Sequence, residues 1–415
     1  MRILLVSKDD NGGIGQICLG LMRALKALGH ECHMLVLNKY TQNPDVERYG
    51  YLRWRLAKMP SGLLLRYGFT VTRRNKARRV GGAIPTSVVN LMNSRWVKWA
   101  DVVHLNHIAD YIDYPSFFSG IGNKPVVITV HDENFFYGLA YYEHQLQREH
   151  PLERYYAEVK YKALSQAKNL GIVLGSEYYT KKFGGHRMLK GRDVRVITNA
   201  VDTTRYRPIP RDEARQRLGL SRSATEGDAC SEGLKKDDTL IAFAATYMSE
   251  QRKGLDKLSE AVRRIGDPQI KIIAVGNNIH HRTWPNVIEM GYKATPDALC
   301  EVFSAADFFA FPSMHEAFAL TPMQAMACGL PVVAFPVSGT SELINEHNGV
   351  VCRDFTVEAL TEGIVTLMGR DYDAAAIRQD MVSRFSPLGI AEKYCRLYDA
   401  LSDLLVRQED DLPVL

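Results

Sequence analysis

The chain has 415 residues, of which 46% are hydrophobic and 24% are charged. These values are typical of folded globular proteins and exclude a disordered or low-complexity chain. At roughly 100 to 200 residues per domain, the length predicts two or three domains, each with its own core. The 7 cysteines are scattered without a C-x-x-C pair, which excludes a small disulfide scaffold and disfavours a structural zinc site. We expect reduced, mostly buried thiols.

The N-terminus leads directly into the strand-like run Arg2–Ser7, with no apolar core of a signal peptide before it. Nowhere does the sequence reach the roughly 18 consecutive apolar residues that a membrane-spanning helix needs. We therefore expect a soluble, cytoplasmic protein.

Charge is unevenly distributed. The net charge of the chain is +5. All charged residues between positions 51 and 100 are Arg or Lys, so the rest of the chain carries a net negative charge. In this basic segment (residues 51–100), an apolar run at 63–69 precedes a cluster of cations, and Arg95–Trp99 alternates cations with indoles. This pattern suits peripheral contact with an anionic membrane, at the inner face of the cell membrane, or with a lipid-linked acceptor. The alternatives are a solvated basic face and contact with an anionic soluble substrate. Nucleic acid is disfavoured because no binding motif accompanies the cations.

The first forty residues predict a strand, a glycine loop, a helix and a second strand. Apolar residues recur at helical spacing from Ile17 to Leu28, and Gly29 ends the helix. Continuous apolar runs are typical of parallel strands whose two faces are both covered. In this half they lie at residues 3–6, 102–105, 126–130, 170–174 and 194–197.

A second series of strands follows the polar stretch 220–238, which reads as a loop. Its apolar runs lie at residues 240–244, 270–275, 287–290, 308–311, 332–335 and 349–352, with helices in the intervals. The alternation predicts two doubly wound α/β domains in tandem. We place the N-terminal domain at 1–208, the C-terminal domain at 209–385, and a C-terminal helix at 386–415 that packs back toward the first domain. Ligands of such sheets bind beyond the carboxyl ends of the strands, which predicts a site in a cleft between the domains.

The glycine loop Asn11–Gly15 separates the first strand from the first helix. It does not fit G-x-G-x-x-G, so a nicotinamide cofactor is disfavoured. Backbone amides at a helix N-terminus favour an anion or a hydroxyl-rich ligand, and glycine permits close approach. A tight turn without a ligand is the alternative.

Histidine residues follow two of the predicted strands. His131 comes directly after the run 126–130, so its imidazole is expected at the carboxyl edge of the sheet. There it can hydrogen-bond a sugar hydroxyl or transfer a proton, and the alternative is local backbone capping. We interpret His104 and His107 as structural or acceptor-side residues, because no carboxylate or thiol stands at metal-ligand spacing.

The turn Arg252-Lys253-Gly254 opens a predicted helix. Cations at a helix N-terminus oppose the helix dipole, so an anion should compensate them. A diphosphate fits, with Arg252 giving forked hydrogen bonds and Lys253 a point charge. A solvated pair is the alternative.

The stretch 312–333 holds the most specific pattern. Thr321 as N-cap, proline after it and Gln324 at capping-box spacing predict a helix from Thr321 to Gly329. Glu316 then lies in the preceding loop, where its carboxylate can accept from ligand hydroxyls while amides from Phe318 onward hold a phosphate. For Gln324, capping alone is the alternative role.

Together these residues resemble the retaining nucleotide-sugar glycosyltransferases of family four over nearly the whole chain. The likeness rests on the Gly-Gly loop, His131-Asp132, residues 197–202, Arg252-Lys253-Gly254, Ala306-Asp307 and the highly specific 316–333. It implies the GT-B fold of two facing Rossmann-like domains with a central cleft. Within the family, the N-terminal region looks most like transferases that build bacterial exopolysaccharide, capsule or O-antigen.

The resemblance implies transfer of a sugar, with retention, from a nucleoside-diphosphate sugar to a saccharide or lipid-linked saccharide hydroxyl. The donor is a substrate, and neither a cofactor nor an essential metal is implied. His131 and Glu316 are the implied catalytic residues. Those implied to bind the donor are Gly13, Arg252, Lys253, Phe318, Ala319, Leu320 and Gln324.

Two positions depart from the family pattern. The family usually has glutamate where Gln324 stands, and Gly-Arg where Ala245-Thr246 stands, which leaves Arg252 as the substitute cation. A catalytically weak or inactive relative that binds nucleotide sugar or polysaccharide is therefore the alternative function.

Overall fold

The computed structural model describes residues 1–56, 83–146, 150–220, 238–293, 295–316 and 318–410. Contacts divide the chain into unit 1, which comprises Met1–Ala200 with the segment that begins at Pro387, and unit 2, Val201–Ser386. The sequence boundaries at 208 and 385 lie close to these divisions. Most of the polar stretch 220–238 and most cations of the basic segment lie outside the described residues.

The described part of unit 1 contains a parallel seven-stranded sheet with the order β3-β2-β1-β4-β5-β6-β7. The order turns back at β1 and β4, as in a doubly wound sheet. The short β3 was not predicted, because only Val46 in it is buried and no apolar run marks it. The strands are β1 (Arg2–Asp9), β2 (Glu31–Asn38), β3 (Val46–Arg48), β4 (Val102–Leu105), β5 (Val126–Val130), β6 (Leu170–Leu174) and β7 (Asp193–Val196).

Helices cover the unit 1 sheet, and one of them comes from the C-terminal segment. The described helices are α1 (Gly12–Ala27), α2 (Tyr51–Leu56), α3 (Arg95–Trp99), α4 (Tyr114–Gly120), α5 (Pro151–Leu164), α6 (Glu177–Phe183) and, after unit 2, α13 (Pro387–Asp410). Tyr394, Leu397 and Leu401 of α13 share a buried cluster with Ile3 and Leu5 of β1. The C-terminal helix is therefore part of the unit 1 core.

A buried polar network attaches α13 to the sheet. His104 in β4 is fully buried and hydrogen-bonds Tyr398 Oη through Nδ1 at 2.7 Å and Thr129 Oγ1 through Nε2 at 2.7 Å. Thr129 Oγ1 also lies 3.0 Å from Tyr394 Oη. Buried polar groups need such partners, so His104 has the structural role that was one of its two interpretations.

Unit 2 contains, within its described residues, a parallel six-stranded sheet with the order β10-β9-β8-β11-β12-β13. Its strands are β8 (Thr239–Tyr247), β9 (Ile270–Asn277), β10 (Val287–Glu289), β11 (Phe308–Phe311), β12 (Val332–Ala334) and β13 (Gly349–Val351). Its helices are α7 (Arg211–Arg217), α8 (Leu255–Ile265), α9 (Pro296–Ala305), α10 (Leu320–Ala327), α11 (Val357–Met368) and α12 (Ala374–Phe385).

Both faces of the unit 2 sheet are buried. Along β8, Leu240 and Ala242 join one apolar cluster, whereas Ile241 and Phe243 join another on the opposite face. Alternate residues of a strand point to opposite faces, so a strand buried on both faces must be apolar throughout. This requirement explains why continuous apolar runs predicted the strands of both units.

Candidate functional site

The cationic turn Arg252–Gly254 follows β8 at the carboxyl edge of the unit 2 sheet. Gln251–Lys253 form a single 3-10 turn, and Gly254 is the N-cap of α8. Gly254 has a φ of 78°, in the left-handed region that favours glycine. A glycine is therefore required where the turn enters the helix.

This turn packs against the loop that follows β11, the neighbour of β8 in the sheet. A Cβ atom on Gly254 would lie 2.1 Å from the carbonyl oxygen of Pro312. The Met314 amide donates to the Arg252 carbonyl at 2.8 Å, and Ser313 Oγ lies 3.3 Å from the same carbonyl. Backbone contacts thus fix the position of the turn on the 312–316 loop.

The Glu316 carboxylate is held by both cations of the turn. Its Oε1 accepts from Lys253 Nζ, from Arg252 Nη1 at 3.3 Å and from Ser313 Oγ at 2.9 Å. The side chains of Lys253 and Glu316 are only 18% and 15% exposed. Arg252 Nε also pairs with Glu250 Oε2 at 2.9 Å. The two predicted halves of the site, the turn and Glu316, therefore form one cluster.

The positive charges of Arg252 and Lys253 at the start of α8 were predicted to need a compensating anion. In this structure the anions are the protein's own Glu316 and Glu250. Burying cations without a partner is costly, so internal carboxylates stabilise them here. Lys253, which is 18% exposed and ion-paired with Glu316, is therefore not a freely solvated cation, whereas the Arg252 side chain is 37% exposed.

A cavity of about 580 Å³ lies beside the turn. Its lining side chains are mostly polar or cationic, and Arg252 is among them. Arg252 thus borders space that a polar ligand can enter. The lining residues are Ser249, Glu250, Gln251, Arg252, His280 and Arg282.

Helix α10 begins earlier than predicted. Its first residue is Leu320, its N-cap is Ala319, and no side chain caps it. The predicted N-cap Thr321 and its capping box with Gln324 are therefore wrong. The reason is a contact outside the local sequence: the Ala319 amide donates to Thr340 Oγ1 at 3.3 Å, which fixes extended backbone at Ala319. Pro322 then stands in the first turn, where a missing N–H is tolerated.

Because α10 starts earlier, the amides predicted to hold a phosphate differ in whether they are available. The Ala319 amide already has Thr340 as its partner, whereas Leu320 begins the helix and has no intrahelical acceptor for its amide. The side chain of Phe318 is buried. Gln324 is half-buried, and the structure gives its side chain no hydrogen bond to any described residue.

In unit 1, the three glycines of the glycine loop differ in what they allow. Gly12 already belongs to α1 and has a φ of 70°. A Cβ on Gly15 would lie 2.4 Å from the carbonyl carbon of Asp10, whereas a Cβ on Gly13 would have no atom within 4 Å. Packing therefore requires glycine at Gly15, and Gly13 borders open space.

His131 lies directly after β5, at the carboxyl edge of the unit 1 sheet. Its Nε2 is 3.0 Å from Asn106 Oδ1, and the amide nitrogen of Asn106 donates to the His104 carbonyl at 3.5 Å. This orientation presents the amide oxygen to His131, so Nε2 carries the hydrogen and Nδ1 can accept. Burial, with His107 nearby, lowers the pKa of His131 to about 3. At neutral pH His131 is therefore an uncharged imidazole.

Acid should destabilise the protein through its buried histidines. Burial lowers the pKa of His104 to about 3, whereas a histidine of the unfolded chain titrates near 6.5. Between these values the unfolded state binds a proton that the folded state does not, so the free energy of unfolding falls as the pH drops below 6.5. For one histidine this slope is about 1.4 kcal/mol per pH unit.

Urea unfolding between pH 7 and pH 4 measures that slope. We expect His104→Gln to flatten it relative to the wild type. The control is His347→Gln, since the His347 side chain is 85% exposed. An identical slope in the wild type and His104→Gln would contradict the assignment.

Several residues of these clusters were not predicted as site residues. Asn106 follows β4 at the carboxyl edge, and the rule that singled out His131 would have found it. Glu250 and Ser313 lie close in sequence to residues that were predicted, but no pattern in the sequence identified either of them as a site residue. Thr340 contacts Ala319 across 21 residues of sequence, and a fold is needed to see it.

Of the basic segment, residues 83–100 and the start at 51–56 are described. Trp96 Nε1 donates to Glu47 Oε2 at 2.8 Å, and its ring stacks on His33 at a centroid distance of 3.8 Å. Arg95 pairs with the same carboxylate at 3.0 Å. This indole is therefore engaged within unit 1, while membrane contact by the remaining cations stays a prediction.

Two other classes of site are not found among the described residues. No helix among them is both long and apolar enough to cross a bilayer. Among the same residues, no group of three or more His, Cys, Asp or Glu side chains is placed to hold a metal ion. The described cysteines are free, and all except the half-buried Cys395 are buried.

Two family models match the chain. Residues 11–205 match Glycosyltransferase Family 4, and residues 238–370 match Glycosyl transferases group 1. Each match falls almost entirely within one of the two units. Together they cover more than three quarters of the sequence.

The chain is similar to solved structures over nearly its whole length. Sucrose-phosphate synthase from Thermosynechococcus elongatus has a TM-score of 0.64 at 18% identity, covering 97% of this chain and 99% of that chain. Anabaena HepE in complex with UDP has a TM-score of 0.63 at 16% identity, covering 96% and 100%. HepE has also been solved in complex with UDP-glucose. At these identities the likeness shows the fold alone.

A curated relative matches a shorter part of the chain. D-inositol 3-phosphate glycosyltransferase of Rhodococcus erythropolis is 29% identical over 210 residues, which are 46% of this chain and 45% of the relative. The chain thus spans about half the length of the curated relative that it matches.

The fold of the chain is GT-B, with two parallel-sheet α/β domains of Rossmann type, which confirms the predicted fold class. The chain belongs to the glycosyltransferases of the family-four type, as the sequence motifs indicated. The finer likeness to exopolysaccharide and O-antigen transferases stays a prediction.

Proposed function

We propose that the protein is a glycosyltransferase that moves a sugar, with retention of anomeric configuration, from a nucleoside-diphosphate sugar to a hydroxyl of a saccharide or lipid-linked saccharide. The observation that carries this proposal is the partly buried, ion-paired cluster of Arg252, Lys253 and Glu316 at the carboxyl edge of the unit 2 sheet. The edge is where ligands of such sheets bind.

The composition of the cluster matches both parts of such a donor. A diphosphate can replace Glu316 as the partner of Arg252 and Lys253, since phosphate oxygens accept strongly from both cations. The carboxylate that it displaces can then accept from sugar hydroxyls. Ser313 Oγ, which already donates to Glu316 at 2.9 Å, would keep that carboxylate in place. A sugar diphosphate thus supplies the acceptors and the donors that the cluster needs.

The remaining residues have roles implied by family membership. Leu320 presents an amide of the α10 N-terminus to the phosphate, with Phe318 and Ala319 just before it. The Ala319 amide can donate to the phosphate only if its hydrogen bond to Thr340 Oγ1 breaks. Gln324, one turn further along α10, would accept from a ribose hydroxyl through its amide oxygen.

The unit 1 residues would act at the sugar and the acceptor. Gly13 lets the donor phosphate and the acceptor approach the backbone, which fits the open space beside it. Nδ1 of the neutral His131 would accept a hydrogen bond from the donor sugar near its reacting carbon. We propose His131 and Glu316 as the catalytic residues, because both would touch the transferred sugar.

Transfer would proceed by positioning and electrostatic stabilisation, with no covalent step on the protein. The bond from the anomeric carbon to the diphosphate breaks, and its electron pair leaves on the diphosphate. The acceptor oxygen bonds to the same face of that carbon, and its proton passes to an oxygen of the leaving phosphate. Arg252 and Lys253 stabilise the charge that develops there. No cofactor or essential metal takes part in this scheme.

Similar proteins support the donor class more than the acceptor. The complexes of HepE with UDP and UDP-glucose support a uridine nucleotide as the first donor to examine. The curated relative is named for an inositol phosphate acceptor, whereas we propose a saccharide of surface polysaccharide synthesis, at the inner face of the cell membrane. The basic segment supports the membrane contact of this proposal.

Gln324 favours a second candidate, a relative that binds nucleotide sugar or polysaccharide but transfers little or nothing. The amide accepts through one oxygen and lacks the charge of the glutamate usual in the family, which weakens a bond to a ribose hydroxyl.

A panel of nucleotide sugars, measured for thermal stabilisation and then for hydrolysis and transfer, tests the proposal. A donor at 100 times its Kd should add about 2.7 kcal/mol of stability. We expect turnover in the wild type and retained configuration in the product by NMR. Tight binding without turnover, with turnover appearing only in Gln324→Glu, would favour the second candidate instead. No stabilisation by any nucleotide sugar would contradict the proposed transfer, and it would leave only the polysaccharide-binding form of the second candidate.

A further inference from the structure

The loop that follows His131 is held by two buried charged residues of α5. Lys160 is 1% exposed and Glu153 is 6% exposed, although neither forms an ion pair with a described residue. Both side chains bind instead to backbone or amide groups of residues 134–140. Charged groups are rarely buried in this way unless they are fully hydrogen-bonded.

Lys160 satisfies all of its donors on the loop. Its Nζ donates to the Asn134 carbonyl, to Asn134 Oδ1 at 2.8 Å and to the Tyr137 carbonyl at 2.6 Å. An ammonium has three N–H donors, so three acceptors match the charged form of the side chain.

Glu153 holds the following residues through their amides. Its carboxylate accepts from the amides of Gly138, Leu139 at 2.9 Å and Ala140 at 3.3 Å. A Cβ on Gly138 would lie 1.9 Å from the Glu153 carbonyl oxygen, so the loop backbone touches the helix backbone. A side chain at residue 138 would therefore push the loop away from α5.

The loop is also closed upon itself and joined to His131. Asp132 Oδ1 accepts from the Asn134 amide at 2.9 Å. Asn134 Nδ2 donates to the carbonyls of Leu139 at 2.8 Å and Ala140 at 3.1 Å. One asparagine thus connects the residue after His131, the end of the loop and the Lys160 ammonium.

Ion pairs with α6 also hold the loop. Lys182 of α6 lies 2.7 Å from Glu133 Oε1 and 3.1 Å from Glu143 Oε2, and the Glu143 amide donates to Glu133 Oε2 at 2.9 Å. The loop after β5 therefore has helix contacts on two sides.

We propose that Lys160 and Glu153 are positioning residues for sugar transfer, because they hold residues 132–140 in the one conformation that places His131 against its ligand. The inference rests on the proposed function, which gives His131 that ligand. Neither residue needs to touch the substrate. Replacing buried charged groups by well-packed apolar side chains is often neutral or stabilising, so we assign these two residues a role in positioning.

The pH dependence of turnover offers a readout of Lys160. Burial lowers the pKa of Lys160 to about 7, although Asp132, Glu153 and Asp110 raise it in part. Above this value the amine has two N–H donors for three acceptors, and the loop loses one contact. We therefore expect wild-type kcat to decline above about pH 7.

Lys160→Met is the direct test, because methionine keeps an unbranched apolar stem and removes the donors. We expect kcat to fall at least tenfold with donor KM within twofold of the wild type. Amide hydrogen exchange should accelerate at residues 138–140, and the decline of kcat above pH 7 should disappear. Lys162→Met is the matched control, since Lys162 is exposed on the same helix; it should match the wild type.

Glu153→Gln provides the second variant if Lys160→Met folds poorly. It keeps the size of the side chain and leaves one carboxamide oxygen for the three amides, so faster exchange at residues 138–140 and a lower kcat are again expected. A lower urea midpoint with unchanged kcat per folded molecule would overturn the positioning role and leave a structural one. Absence of transfer in the wild type would overturn the proposed function instead, and the exchange measurement would still decide whether the charges hold the loop.

Discussion

Glu316→Ala is expected to lower turnover at least tenfold, which corresponds to about 1.4 kcal/mol or more in the barrier. The variant removes the acceptor for the donor sugar's hydroxyls. It also leaves Lys253 and Arg252 without their shared carboxylate, so the two cationic side chains lose the contact that orients them in the free enzyme. Glu316→Gln separates the two effects, since the amide keeps the shape and removes the charge.

Lys253→Met should lower turnover by a comparable factor, because it removes the cation that pairs with Glu316. The cation is 18% exposed, and its charge is needed where the leaving diphosphate develops negative charge. Because Lys253 and Glu316 contact each other, the double variant should lose less than the sum of the single losses in free energy.

Steady-state kinetics at saturating and limiting donor measure both variants. The control is Glu346→Gln, a carboxylate of unit 2 whose side chain is 80% exposed, and it should leave kcat unchanged. Unchanged rates in both Glu316→Ala and Lys253→Met would remove the assignment of this cluster to the donor.

Gly254→Ala is expected to disrupt both the fold of unit 2 and the donor site. The backbone at Gly254 is left-handed, with a φ of 78°, which costs a non-glycine residue roughly 1–3 kcal/mol. The new Cβ would also lie 2.1 Å from the Pro312 carbonyl oxygen, so the turn and the 312–316 loop would have to separate. Stability and donor affinity should therefore fall together.

Gly266→Ala separates backbone strain from this contact. Gly266, at the end of the same helix, has a φ of 75°, and a Cβ there would have no atom within 4 Å. Urea unfolding should show a larger loss of stability for Gly254→Ala, and calorimetry should show weaker donor binding in that variant alone. Equal losses of stability and unaltered binding in both variants would contradict the role of the close contact.

The sequence predicted those features that depend on neighbouring residues. Apolar runs such as 126–130 located strands because both faces of each sheet are buried. The position of His131 followed from the same pattern, since a polar residue directly after a parallel strand lies at the carboxyl edge.

Features that depend on distant contacts could not be predicted in the same way. Thr340 sets the start of α10 through the Ala319 amide, and local propensity therefore favoured the wrong N-cap, Thr321. The pairing of Lys253 with Glu316 joins residues that lie 63 positions apart. The resemblance to the family predicted that both residues contact the donor. Their contact with each other could be seen only in the folded structure.

Calorimetric titration of a nucleoside-diphosphate sugar into the wild type, Lys253→Met and Lys257→Met tests the central claim most directly. Lys257 is a cation of α8, the helix that follows the turn, and the structure gives it no ion pair with a described residue. We expect the affinity for the nucleoside-diphosphate sugar to fall at least tenfold in Lys253→Met and to stay unchanged in Lys257→Met. Equal affinity in all three proteins would contradict it.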